Sequence, residues 1–159
     1  MAQTKKSLAI DAPERRRLPI LLRHAWYGLN QTFRRRIAHT GVTPDQFTTM
    51  RTLMENETEG LTQSRLTELM ASDPNTIASL IERMEKAGWL TRTPHEKDRR
   101  AYRLHVQPLG RKKYQQVREI ALTLQSELFT GWTATRREQF LENLAQLAEN
   151  CRAASDKNT

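Results

Sequence analysis

The sequence predicts a mainly helical α+β fold whose helices are interrupted by one β-hairpin. Apolar residues recur every three or four positions over most of the chain, which is the period of an amphipathic helix. Several of these stretches start with matched capping signals. Alternation with a period of two is confined to residues 89–107, on either side of a charged loop. At 159 residues, the chain has the length of one domain with a sizeable core.

The first two helices follow from periodicity and capping. The first is predicted over residues 18–38 and should stop at Gly41. The second should start with Thr43 as N-cap, Pro44 in the first turn and Gln46 closing a capping box. Its buried face should hold Phe47, Met50, Leu53 and Met54.

A short third helix follows a polar connector at residues 55–60. It should open at Thr62, bury Leu66, Leu69 and Met70, and end near residues 71–72. The turn that follows is too short for any further element. We therefore expect the third helix to be joined tightly to the fourth.

The fourth helix is predicted over residues 73–87. Asp73 is a good N-cap, Pro74 suits the first helical position, and Gly88 lies where a left-handed residue would end the helix. One face is polar and the other apolar. The apolar stripe consists of Ile77, Leu80, Ile81 and Met84.

Residues 89–93 and 102–107 are predicted strands, and residues 94–101 form the loop of their hairpin. This hairpin is the only β signal. A long fifth helix should begin at Pro108, and a capping box of Thr135 with Glu138 should open a sixth. Cys151 is interpreted as a small buried hydrophobe. The inward positions of these two helices are predicted to be Tyr114, Val117, Ile120, Ala121, Leu124, Leu128, Phe140, Leu141, Leu144 and Leu147.

The charge of the chain is strongly positive and localised. Its 26 Lys+Arg against 18 Asp+Glu give a net charge of +8. Residues 89–118 hold nine basic and two acidic side chains, whereas residues 119–159 hold four basic and six acidic ones. Such a local field attracts a polyanion, and nucleic acid is the partner it indicates.

Other classes of protein are disfavoured by composition. No apolar run is long enough to cross a membrane, and the first residues lack the pattern of a secretory signal, so we expect a cytoplasmic protein without a membrane partner. Cys151 is the only cysteine, which excludes an internal disulfide and a multi-cysteine zinc site. The histidines are scattered and no nucleophile has a base beside it. We therefore expect no enzyme, no catalytic residues, no metal and no cofactor.

Two short helices joined by a tight turn and followed by a basic hairpin predict a winged helix-turn-helix. In this arrangement the second helix lies in the DNA major groove and presents its first residues to base edges. The predicted contacts on the recognition helix, residues 73–87, are Pro74, Asn75, Thr76, Ser79 and Arg83.

The hairpin, residues 89–107, is the predicted wing. We expect Arg100 to enter a minor groove after Asp98 has oriented its guanidinium through an ion pair. Lys97, Arg99 and Arg103 are expected to contact phosphates. Which of Arg99 and Arg100 enters the groove stays open.

The stretch DPNTIASLIERMEKAGWLTRTPHEKDRRAYRLHVQPLG, residues 73–110, resembles the MarR-type (multiple antibiotic resistance regulator) transcription factors. The similarity lies in the recognition helix, the wing with Asp98 and Arg100, and the Leu109-Gly110 helix start. It departs at Ser79, where many relatives carry an arginine. The resemblance implies one MarR-like domain over residues 1–159, with a DNA-binding lobe at 43–107 and dimerisation helices at 1–38 and 108–153. It further implies a homodimer that reads a pseudopalindromic operator and is released by a small aromatic or anionic effector.

An effector pocket is the second expected site. The first helix carries polar and aromatic groups, and the second carries Phe47 and adaptable methionines that could face them around a planar guest. Arg23 could pair with a carboxylate. The alternative is that these residues are plain core and dimer surface. The full candidate set is Arg23, His24, Trp26, Tyr27, Asn30, Phe47, Met50 and Met54.

The favoured function is thus a ligand-responsive DNA-binding repressor. Three alternatives stay open: a non-specific or architectural DNA binder, a thiol-based redox-sensing regulator that uses Cys151, and an interaction module that uses the winged fold without DNA. Salt dependence and the ratio of specific to non-specific binding would separate them.

Overall fold

The computed structural model describes residues 9, 12–58, 60–98 and 100–156. The predicted mainly helical α+β fold is confirmed, and none of the helices described is long and apolar enough to span a membrane. Contacts divide the chain after Ile120 into two compact units. In chain order the elements are α1 (Leu18–Ile37), α2 (Pro44–Glu55), β1 (Leu61–Thr62), α3 (Gln63–Leu69), α4 (Pro74–Lys86), β2 (Leu90–Pro94), β3 (Tyr102–Val106), α5 (Pro108–Leu128) and α6 (Ala134–Asp156).

Local capping explains where α1 stops and α2 starts. A short 3-10 turn, Ala38–Thr40, follows α1 and ends at Gly41, whose φ of 72° is left-handed. The capping box of α2 is present as predicted: the Gln46 N–H donates to Thr43 Oγ1 at 3.3 Å, and the Thr43 N–H donates to Gln46 Oε1 at 2.8 Å. Both donors lack a partner inside the helix, so these bonds stabilise its first turn.

The helix-turn-helix is built from two capped helices. Thr62 caps α3 by accepting the Arg65 N–H at 3.3 Å, and Asp73 caps α4 by accepting the Thr76 N–H at 2.8 Å. Between the two helices, in the four-residue connection 70–73, Ala71 has a φ of 46°, a left-handed conformation that turns the chain. Gly88, at φ 71°, follows α4 where the sequence predicts its end.

The sheet has three strands in the order β1-β3-β2, all antiparallel. The prediction of a lone hairpin was therefore wrong, because β1 pairs Leu61 with Leu104 and Thr62 with Arg103. A strand of two residues has no alternation that a sequence pattern could detect. Its pairing fastens the segment before α3 to the hairpin.

The core of the first unit lies between the helices and this sheet. The predicted stripe of α4 is buried, and that of α2 is buried except for Met54, which is half-buried. The ring of Phe47 stacks on Tyr114 at 5.1 Å and meets Phe33 edge-on at 5.4 Å. Leu69, predicted to face inward, is instead exposed, because α3 ends there and only Leu66 is fully buried from it. Thr49 is buried with its hydroxyl directed at Met70 Sδ, 3.2 Å away.

The second unit contains the end of α5, a turn and α6. Thr133, not Thr135, caps α6, since the Arg136 N–H donates to Thr133 Oγ1 at 3.2 Å. Phe129, Trp132 and Phe140 form an edge-to-face cluster around this turn. Several residues predicted to face inward are exposed because two helices cannot cover both their faces: Leu128, Phe140, Leu141, Leu144 and Cys151.

Candidate nucleic-acid interface

The start of α4 presents a continuous polar surface. Its inward side is fully occupied by the apolar stripe, so the side chains between those positions face solvent. All five contacts that the sequence predicts on this helix are exposed: Pro74, Asn75, Thr76, Ser79 and Arg83. Pro74 has no N–H to satisfy at this position, which suits an exposed helix start.

Asp73 and Thr76 form a double hydrogen bond at the helix start. Besides its N–H, Thr76 donates its hydroxyl proton to Asp73 Oδ2. These two bonds, that from the hydroxyl first, lower the pKa of the Asp73 carboxyl below its usual value. The carboxylate is therefore ionised and fixed, and the rotamer of Thr76 is fixed with it.

Ion pairs hold the wing against the recognition helix. Arg92 of β2 reaches Glu85 of α4 at 2.7 Å, and both side chains are partly buried. On the exposed side of α4, Lys86 pairs with Glu82 at 2.6 Å and lowers the pKa of that carboxyl. Arg83 donates through Nε to the Ser79 carbonyl at 3.1 Å, and the rest of its guanidinium faces outward.

The wing loop is organised by backbone hydrogen bonds to side chains. His95 Nδ1 accepts the N–H groups of Lys97 and Asp98, both at 3.2 Å. Asp98 Oδ1 accepts the Arg100 N–H at 2.9 Å, and the Asp98 carbonyl accepts the Ala101 N–H at 3.1 Å. The loop is thus a tight turn of the kind that Asp commonly closes.

The predicted pairing of Asp98 with the Arg100 guanidinium was wrong. Asp98 binds the backbone of Arg100 instead, because an N–H two residues away lies within easy reach of its short side chain. The Arg100 side chain is exposed, and among the residues that the structure describes it has no ion-pair partner. Lys97 is also exposed, whereas Arg99 lies outside the described residues.

The guanidinium of Arg103 is engaged in contacts within the protein. Its Nε donates to both carboxyl oxygens of Glu96, at 3.1 and 2.9 Å, and its Nη1 donates to the Gly60 carbonyl at 3.0 Å. The pKa of the Glu96 carboxyl is lowered by its own backbone N–H and then by Arg103. Arg103 therefore joins the wing to the turn before β1, a role that the sequence pattern did not indicate.

The recognition helix and the wing share one groove. A concavity of about 690 Å³ is lined on one side by Thr62, Ser64 and Pro74, and on the other by Asp98 and Arg100. Of the predicted contacts, Pro74, Asp98 and Arg100 line this groove, whereas Asn75, Thr76, Ser79 and Arg83 do not.

Arg111 and Lys113, two basic residues at the start of α5, make contacts within the protein. Lys113 Nζ donates to the Thr40 carbonyl at 2.7 Å, and Arg111 pairs with Glu57. These bonds tie the start of α5 to the ends of α1 and α2. Two of the three basic residues in this run therefore have structural contacts, and Lys112 is exposed.

The candidate effector residues fall into two environments. Phe47 and Met50 are core, and Met54 and Asn30 are half-buried. The remaining four lie exposed along α1: Arg23, His24, Trp26 and Tyr27. Across the described part of the chain, no three His, Cys, Asp or Glu residues are grouped so as to hold a metal ion.

Comparisons with known proteins agree with this geometry. The MarR family model matches residues 42–102, which run from the start of α2 to the start of β3. A protein of Thauera aromatica named "Putative transcriptional regulatory protein for hcr operon" is 33% identical over 90 residues. That alignment covers 56% of this chain and 53% of the relative, so the chain spans about half the length of the curated relative that it matches.

Two solved structures match over most of both chains. The S. aureus MepR–DNA complex has a TM-score of 0.75 at 19% identity and covers 84% of this chain and 95% of that one. A "probable transcriptional regulator from Pseudomonas aeruginosa" has a TM-score of 0.70 at 26% identity, with 82% and 96% covered. The chain therefore has the winged helix-turn-helix fold of these solved structures, and its residues 42–102 match the MarR family model.

Proposed function

We propose that this protein is a dimeric, sequence-specific DNA-binding transcriptional regulator that represses until a small aromatic or anionic effector releases the DNA. The observation that carries the DNA-binding part is the shared groove, in which Pro74 of α4 and Arg100 of the wing line one concavity. A helix start and a cationic hairpin tip on one face suit the major groove and the adjacent minor groove of a duplex. The S. aureus protein of the same fold was solved with DNA, which supports this use.

The proposed roles follow from chemistry and exposure. Asn75 can pair with adenine through its donor and acceptor, and Arg83 can donate to guanine or to a phosphate. Arg100 is the proposed minor-groove probe, because its side chain is exposed while its backbone N–H is bonded to Asp98. Lys97 and Arg99 are proposed phosphate contacts. Since the target is chromosomal DNA, we expect the protein to act in the cytoplasm.

Dimerisation is proposed from exposed apolar surface on α1. Leu18, Leu21, Leu22 and Leu29 are each at least 39% exposed, and Trp26 is 66% exposed. A stretch of this kind along one helix is unusual for a chain that works alone. A two-fold partner would cover it and would present two winged lobes to half-sites about 10 bp apart.

The effector is proposed to bind against α1. Trp26 and Tyr27 offer flat, exposed rings, and Arg23 lies one turn away on the same helix with a charge that suits a carboxylate. Phe47 and Met50 are buried in the core. They would therefore lie beneath the surface of such a site and support it from below.

The test of DNA binding combines selection and salt dependence. Sequences selected from a random pool should bind at least a thousandfold more tightly than bulk DNA at the same salt, on the order of 4 kcal/mol. A ratio near one would contradict specific regulation and favour an architectural binder. Arg100→Ala should weaken binding and reduce the salt slope by about one for each lobe bound to DNA, or about two for the dimer. Arg51→Ala removes the same charge from α2, outside the groove, and should leave the slope unchanged.

The same complex tests the effector. Small aromatic carboxylates should release the DNA, and Arg23→Ala should abolish the release without changing DNA affinity. If the protein stayed bound to DNA in the presence of every such compound, it would be a regulator without this class of effector.

A further inference from the structure

Thr76 is a residue of the proposed recognition surface whose hydroxyl proton and backbone N–H are both already donated. Its N–H donates to Asp73 Oδ1 at 2.8 Å, and its hydroxyl donates to Asp73 Oδ2. A threonine hydroxyl has a single proton. Donation to an ionised carboxylate is the stronger, charge-assisted kind of hydrogen bond, so exchange of this partner for a neutral base would be unfavourable.

The committed proton restricts what Thr76 can recognise in a major groove. Guanine presents only acceptors there, at N7 and O6, and thymine presents one acceptor, O4, together with its C5 methyl group. Thr76 cannot donate to any of these acceptors while it donates to Asp73. Its Cγ2 methyl occupies another staggered position on the same Cβ, and the residue is exposed, so the methyl group is open to a partner.

We propose that Thr76 is a specificity-determining residue that recognises one thymine per half-site through contact between its methyl group and the thymine methyl, with Asp73 as the positioning residue that holds this rotamer. This inference rests on the proposed function, because it assumes that the start of α4 enters the major groove. Asp73 thereby has a second role besides capping: it engages a hydroxyl proton that could otherwise be donated to acceptors on several bases.

The test replaces single atoms on both sides of the contact. In the best sequence selected from a random pool, each thymine of a half-site is replaced in turn by deoxyuridine, which lacks only the methyl group. At one position the wild-type protein should lose about fourfold in affinity, as expected for one buried methyl group. Thr76→Ser keeps the hydroxyl and lacks the methyl, so it should bind the thymine and deoxyuridine sequences equally at that position.

Thr76→Val makes the opposite change, since it keeps the methyl and lacks the hydroxyl. It should retain the thymine preference, at some cost in stability, because its N–H still caps to Asp73. Thr48→Ser and Thr48→Val are the matched controls: Thr48 is exposed on α2 with its hydroxyl bonded to the Pro44 carbonyl at 3.0 Å. Both control variants should bind the thymine and deoxyuridine sequences with the same relative affinities as the wild type. Thermal unfolding verifies that every variant is folded.

Two results would overturn the inference alone. In the first, Thr76→Val loses the preference for thymine over deoxyuridine while Thr76→Ser keeps it, which assigns recognition to the hydroxyl. In the second, both variants show the same preference at every position as the wild type. A wild-type protein without any preferred sequence would instead overturn the proposed function and this inference with it.

Discussion

Arg100 and Arg103 lie three residues apart on the same hairpin and have opposite environments. Arg100 is exposed, with only its backbone N–H bonded to Asp98. Arg103 is half-buried, and its guanidinium bridges Glu96 and the Gly60 carbonyl. Identical charge therefore serves two purposes: Arg103 builds the wing, and Arg100 is left for a partner. The sequence pattern assigned both to DNA, Arg100 to a minor groove and Arg103 to a phosphate, because the Gly60 carbonyl that Arg103 contacts is 43 residues away along the chain.

Arg103→Lys should separate these two purposes, since it keeps the charge but replaces a planar fork with a single ammonium. We expect the free energy of unfolding to fall by about 1 kcal/mol, and DNA affinity to fall without a change in salt slope. Urea denaturation and binding at several salt concentrations measure the two effects. Arg100→Lys is the matched control and should unfold like the wild type. A stable Arg103→Ala protein with a reduced salt slope would identify Arg103 as a phosphate contact after all.

At the scale of elements, local sequence signals predicted the helix bounds that local interactions determine. The capping boxes, the proline starts and the glycine after α4 place the bounds of α1, α2 and α4 within a residue or two, because their partners lie within four positions. The start of α6 was predicted two residues late, since Thr135 with Glu138 matches the capping-box pattern, whereas Thr133 is followed three residues later by Arg136 and caps through its own side chain alone. Strand β1 depends on a partner in β3, so no local signal reports it.

The junction between β3 and α5 is held by close approach of the backbone at Gly110. A Cβ atom at this position would collide with the Trp89 carbonyl oxygen and would lie 3.0 Å from Val106 Cγ1. The same carbonyl accepts the Gln107 N–H at 2.8 Å, so neither side can move freely.

Gly110→Ala should therefore destabilise the protein by about 1–3 kcal/mol, although alanine favours a helix by about 1 kcal/mol over glycine. Denaturant unfolding provides the measurement. Lys112→Ala, two positions along at an exposed site of α5, should change stability by less than about 0.5 kcal/mol. A gain in stability at position 110 would contradict the close packing of strand and helix.

For the whole molecule, periodicity predicted which faces are apolar but not what covers them. The winged lobe buries its stripes on its own, as the full burial of Leu66, Ile77 and Ile81 shows. On α1 and α6 the same kind of stripe is exposed, and Cys151 with it. The periodic pattern of apolar residues is the same for a stripe buried within the winged lobe and for an exposed stripe on α1 or α6. The pattern does not report whether neighbouring residues of the chain or a separate partner would cover the stripe.

The oligomeric state is the corresponding prediction, and α6 offers a clean test. Leu144 is exposed on the apolar stripe, and Gln146 is exposed on the same helix with its amide bonded to Asn150 at 3.1 Å. At micromolar concentration the wild type should sediment as a dimer. Leu144→Glu should weaken the dimer by about 100-fold or more, since a carboxylate buried without a partner costs at least ~3 kcal/mol.

Gln146→Glu introduces the same charge and should leave the dimer intact, and binding to a two-half-site operator should weaken only with Leu144→Glu. Sedimentation equilibrium of the three proteins gives the comparison. A monomeric wild type that still binds the full operator tightly would mean that each lobe reads DNA alone. The exposed stripes of α1 and α6 would then need a different partner.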